Sequence, residues 1–203
     1  MNLKGKALCL TALLVGLVIA GAGFASAQDV YKVNYFDINT PTIAGIAVPD
    51  ATVRIDNPGL TYGNLCAMIY VFAADQQMAE CCGCVETHNG LRKLSVRNDL
   101  TRSPLTGVIP FSGVIKVVSA AVNNSPCDPT ANVTPRANLR VWATHIQPGT
   151  AFGSFGGLIW PVTETESSDS TLGASELAAL QAQCSFIHIL GSGAGICSCG
   201  TGD

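Results

Sequence analysis

The chain has 203 residues, a formal charge of −3 and only 12% charged residues, against about 25% in an ordinary soluble domain. It has neither the basic patch of a nucleic-acid binder nor the charge density of a disordered tail, so nucleic acid is not an expected partner. With 48% hydrophobic residues the chain is long enough to build its own apolar core.

The first segment reads as targeting. Lys4 and Lys6 precede an apolar run from Ala7 to Ala20, and small residues lead to Ala25-Ser26-Ala27, the pattern of a secretory signal cleaved after Ala27. The run is shorter than the roughly 20 residues a spanning helix needs. Cys9 lies at its start and not its end, which excludes a lipoprotein. Residues 1–27 are therefore expected to leave, and residues 28–203 to form one β-sandwich domain with nine basic and fourteen acidic residues, a formal charge of −5. No later apolar run could span a membrane.

After the signal, Tyr31, Val33 and Tyr35 alternate with Lys32 and Asn34, the period of a strand with one wet face. Short β-leaning runs follow at 43–48 and 52–55, and Asp56-Asn57-Pro58-Gly59 closes the second with turn chemistry. Leu65 to Phe72 is almost wholly apolar, which predicts a strand buried on both faces. Residues 73–89 are polar apart from their cysteines, and Asn89-Gly90 predicts a tight reversal before a strand at 91–96. Further strands are expected at 107–110, 113–120 and 138–146. In the last of these Leu139, Val141 and Ala143 share one face, so Trp142 should point away from the core. Leu158 to Val162, interrupted by Pro161, suits an edge strand. A helix is expected at about 175–190, with Ser175 as cap, Glu176 in the first turn, and Leu177, Leu180, Cys184 and Ile187 at helical spacing. Gly191-Ser192-Gly193-Ala194-Gly195 then leads into a cysteine-rich tail. Short strands with turns between them, followed by one helix, predict a mainly β fold: an immunoglobulin-like or jelly-roll β-sandwich with a C-terminal helix and a disulfide-held tail.

Eight cysteines follow the signal: Cys66, Cys81, Cys82, Cys84, Cys127, Cys184, Cys197 and Cys199. An even number in an exported chain predicts disulfides, with 105 possible pairings. Adjacent Cys81 and Cys82 should reach different partners. Cys197 and Cys199 are expected to clip the tail to the 81–84 cluster, and Cys66 and Cys184 to link sheet and helix. Cys81-Cys82-Gly83-Cys84 with His88 also has a spacing that could bind zinc or act as a redox pair. Disulfides are the simpler account, and no metal or cofactor is called for.

Hydrolase motifs are absent around His88, His145 and His188. Glu164 and Glu166 could share one strand face, the geometry of a glycosidase or calcium site, but flanking Thr and Ser residues make a solvated edge the simpler reading. The glycine run at 191–195 follows a helix and so reads as a linker, where a nucleotide loop must follow a strand. Tyr62, Trp142 and Trp160 are the aromatic candidates for facing a ligand, because flat rings stack on sugars.

The segments Val53–Gly59, Asn64–Phe72 and Glu80–Cys84, with the end from Ser175 to Gly200, resemble uncharacterised secreted bacterial proteins that are β-rich and contain cysteines. The resemblance covers about a third of the chain and rests mainly on cysteine placement. It implies export and disulfides, and carries no activity with it. The expected function is a non-enzymatic secreted or cell-surface role, structural or adhesive, extracellular or periplasmic, with an extracellular protein or glycan as partner. A carbohydrate-binding or other ligand-binding module is the alternative, and a metal-binding or hydrolytic enzyme stands last.

Overall fold

The structure, a computed structural model, describes residues 28–38, 49–60, 63–123, 126–131, 133–147, 150–152 and 157–200. The segment 1–27, the expected strand at 43–48 and Tyr62 lie outside them. In chain order the strands are β1 (Tyr31–Asp37), β2 (Thr52–Asp56), β3 (Leu65–Ala73), β4 (Met78–Glu86), β5 (Leu91–Ser95), β6 (Ser112–Ala121), β7 (Arg140–Ile146), β8 (Thr150–Phe152), β9 (Gly157–Ile159), β10 (Val162–Glu166) and β11 (Ser168–Asp169). A helix, α1, follows at Ala174–Leu190.

Two antiparallel sheets form a sandwich, one ordered β11-β1-β6-β3-β4 and the other β10-β7-β2-β5, with β8 and β9 as a separate pair. Between the sheets lie Phe36, Val53, Ile55, Leu65, Ala67, Ile69, Val71, Leu94, Ile115, Val117, Leu139, Val141 and Ala143. Their period-two placement sends alternate side chains inward, and each large one contributes about 2 kcal/mol by leaving water.

A second core lies on the far face of the five-stranded sheet. There Cys66, Met68, Tyr70, Cys81, Val118 and Ala120 meet Leu180, Cys184 and Ile187 of α1. As a result β3 is buried on both faces, as its unbroken apolar sequence predicts, and the Tyr70 hydroxyl reaches a partner by donating to the Pro129 carbonyl at 2.9 Å. Burial raises the Tyr70 pKa.

Three expectations change. Residues 73–89, read as polar with no strand expected, carry β4, which pairs antiparallel with β3, because disulfide-bonded cysteines fill a buried strand as small apolar residues do. The strand expected at 107–110 is a turn, since Pro104 and Pro110 lack N–H donors and Gly107, at φ +71°, donates to the Pro104 carbonyl. Gly173 and not Ser175 caps α1, and no side chain bonds the free amides.

The single edge strand expected at 158–162 does not form: Pro161 separates β9, which pairs with β8, from β10, which is the edge of the four-stranded sheet. At Ser167 the chain passes from one sheet to the other: its N–H donates to the Val141 carbonyl at 2.8 Å while its hydroxyl accepts from Asn34 at 3.2 Å. The ammonium of Lys32, expected in water, is buried and pairs with Asp29 at 2.6 Å and with Asp169. Desolvation opposes its charge, but those two partners prevail and hold its pKa above the usual lysine value.

Candidate functional site

Sequence separation in β4 explains the cysteine chemistry. Adjacent strand residues face opposite ways, so Cys82 and Cys84 point into the inter-sheet core and Cys81 into the core beneath α1. Cys81 pairs with Cys184 of the helix, Cys82 with Cys197 and Cys84 with Cys199, at Cα–Cα distances of 5.9, 5.2 and 5.5 Å. The tail is clipped to the 81–84 cluster as expected.

The expected Cys66–Cys184 link does not form. Cys66 pairs with Cys127, because α1 packs on β4, while the segment around Cys127 crosses the outer face of the sheet. Gly83 permits that crossing: a Cβ there would stand 2.1 Å from the Cys127 carbonyl oxygen.

The tail also protects a sheet edge. Cys81 N–H donates to the Gly195 carbonyl at 2.9 Å, and Cys197 N–H to the Cys81 carbonyl at 3.3 Å, so Ile196 runs parallel to the outer strand β4. An edge that would otherwise offer its amides to another chain is thereby paired. All the cysteines after the segment 1–27 are thus bonded to one another, and His88 stands exposed in the turn that follows β4, its Nδ1 2.9 Å from the Asn89 amide nitrogen. The 81–84 cluster is a structural clamp in this state.

The other sheet supplies a different kind of surface. Its outward residues come from four strands: Glu164 and Glu166 from β10, Arg140, Trp142 and Thr144 from β7, Thr52, Arg54 and Asp56 from β2, and Leu91 and Lys93 from β5. Register places Glu166, Trp142, Arg54 and Lys93 in one row across the sheet. Arg140, Asp56 and Leu91 form the neighbouring row. Apart from buried Thr144, these side chains are exposed or half-buried. Arg54 forms an ion pair with Glu164, and Arg54, Asp56, Leu91, Trp142 and Glu164 line an open cleft of about 630 Å³. Trp142 faces away from the core, as its strand period predicts.

No family model, curated protein or solved structure matches this chain.

The remaining sequence candidates scatter. Trp160 packs against the inter-sheet core with its indole N–H unpartnered among the described residues, so it is not on the Trp142 face. His145 is buried: its Nε2 lies 2.8 Å from the Thr165 hydroxyl and its ring stacks on Tyr35 at 3.9 Å. Its Nδ1, where a catalytic carboxylate would bind, has no partner among the described residues, and burial lowers its pKa. His188 is exposed on α1. Glu164 and Glu166 do share one face of β10, where Glu166 lies opposite Trp142 and Glu164 pairs with Arg54.

Glu80 is a buried acid that sequence reading passed over. It accepts the Ser103 N–H at 2.6 Å through one oxygen, while the other has no partner among the described residues. Burial pushes its pKa up to about 7, against the opposing effects of the Ser103 amide and Arg102. Arg54, Asp56 and Leu91 were missed as well. The alternation of Thr52, Arg54 and Asp56 with Val53 and Ile55 was the available signal for one charged face.

Proposed function

We propose that the chain acts outside the cytoplasm as a non-enzymatic structural or adhesive β-sandwich, and that it makes its contacts through the outer face of the four-stranded sheet. The observation that carries this reading is the contrast between the two sheets. One is covered on both faces over β3 and β4 and clamped there by disulfides, while the other leaves a half-buried tryptophan among charged residues at its surface. Disulfides persist in oxidising compartments, which supports export, and the absence of a membrane-length apolar helix among the described residues is compatible with release or surface retention. Rigid strands are a better support than loops for a contact surface that must keep its shape.

Adhesion measures it. Beads coated with residues 28–203, made by export, are applied to the envelopes of cells that produce the protein, beside beads coated with Trp142→Ala and with Phe186→Ser, a change on the exposed side of α1. Retention of wild type and Phe186→Ser, with loss in Trp142→Ala, is the expected result. Equal retention of all three, or none by any, would defeat the reading.

A further inference from the structure

We propose that the cleft at Trp142 is a binding subsite for a neutral saccharide, an inference that rests on the contact role of the same face. Three features select that chemistry.

The first is the indole. Trp142 stands between Arg54 and Glu166 in its row on a strand of the sheet, half-buried, so part of its side chain stays available. A flat aromatic surface offers dispersion contact and an electron-rich face, which suits the C–H-bearing face of a pyranose ring. The second is the set of polar groups beside it. Asp56 and Glu164 accept hydrogen bonds and Arg54 donates through a rigid fork; together they match the vicinal hydroxyls of a sugar, which both donate and accept. The Arg54–Glu164 ion pair holds two of these groups in place before a ligand arrives, which lowers the ordering cost of binding.

The third feature is charge. The outer face carries Arg54, Lys93 and Arg140 against Asp56, Glu164 and Glu166, three of each sign, and the cleft itself holds one cation and two carboxylates. A phosphate, a sulfated sugar or a uronic acid would meet those carboxylates without excess positive charge to offset them. A neutral polyhydroxylated ligand meets no such opposition. The cleft volume of about 630 Å³ lies within the range of small-ligand sites, and its open form suits an internal stretch of a polysaccharide more than a buried chain end.

Fluorescence provides the test, because Trp142 and Trp160 are the two tryptophans. In a Trp160→Phe background Trp142 is the sole reporter. The probes are oligomers of neutral hexoses and of N-acetylhexosamines, with uronic-acid oligomers as the charged set. The expected result is saturable quenching or a blue shift with at least one neutral class. By calorimetry on the unlabelled chain, affinity should fall at least tenfold in Trp142→Ala and less in Trp142→Phe, with Glu164→Gln also weakened. Unchanged nonreduced peptide maps and circular dichroism establish that these variants are folded. No response to any neutral oligomer, tighter binding of the uronic-acid set, or unchanged affinity in Trp142→Ala would overturn the assignment. If the neutral oligomers fail while bead adhesion still depends on Trp142, the saccharide assignment falls and the contact role stands. If adhesion is lost as well, both fall.

Discussion

The five-stranded and four-stranded sheets are built from the same kind of alternating strand, yet they are finished differently. The first is a middle layer: β3 and β4 are buried on both sides, α1 and the Cys127 segment lie over them, and four disulfides among the described residues all touch it. The second is half-buried and carries charge and one tryptophan on its outer side. On the proposed contact role, the difference separates stabilisation from contact in space. A surface that must stay open to a partner cannot contribute its outer face to the core, so the opposite sheet carries more of the stability.

That separation can be broken most strongly at the clamp. In Cys197→Ser/Cys199→Ser, two loops spanning 115 residues each are released. A loop of such length closed alone is worth roughly 5 kcal/mol, and because the two loops nearly coincide and the Cys81–Cys184 bridge is retained, their joint loss should cost about 5 kcal/mol in urea unfolding. The edge of β4 is also exposed, so faster aggregation in the same samples is expected.

Next comes Glu80. Its ordinary pKa is 4.5 and its folded value is about 7. Below pH 4.5 both folded and unfolded chains hold the proton. Between 4.5 and 7 the unfolded chain ionises while the folded one does not, so this group makes stability fall as pH rises, with the loss complete above about pH 7. The interval corresponds to roughly 3 kcal/mol at most. Urea titrations from pH 4 to 8 should show that slope in the wild type and not in Glu80→Gln.

A smaller effect is expected at Gly83. Its Ala variant must displace the backbone at Cys127, at about 2 kcal/mol, with the Cys66–Cys127 bridge still formed in a nonreduced peptide map. Least costly of all is Trp142→Ala. Removal of a buried core tryptophan costs about 3 to 5 kcal/mol, but Trp142 lies outside both cores, so its loss should lower stability by about 1 kcal/mol or less while adhesion disappears. A loss near that of a core residue would erase the distinction between the two sheets.

Much of the frame was legible in sequence because local rules set it. The double burial of β3 follows from the almost wholly apolar run Leu65 to Phe72, and the outward aim of Trp142 from period two. The proline at 161 marked a strand break, and the clipping of Cys197 and Cys199 to the 81–84 cluster was anticipated, though not which cysteine pairs with which. What escaped depended on which distant segment lies over which strand. Cys184 could be placed on the buried face of a helix, but only the packing of α1 on β4 chooses Cys81 over Cys66. The Trp142 cleft draws its lining from β2, β5, β7 and β10, segments up to 110 residues apart, and no one of them shows the assembled set. Trp160 was grouped with Trp142 by residue type, although the chain buries it against the other side of the sheet.

The most direct measurement is backbone hydrogen exchange on the chain free and adhering to producing-cell envelopes. Protection should rise in residues 52–56, 140–146 and 162–166 and stay unchanged in 78–86 and 174–190. Protection gained over α1 and the tail, with the four-stranded sheet exchanging as in the free chain, would contradict the assignment of contact to that face.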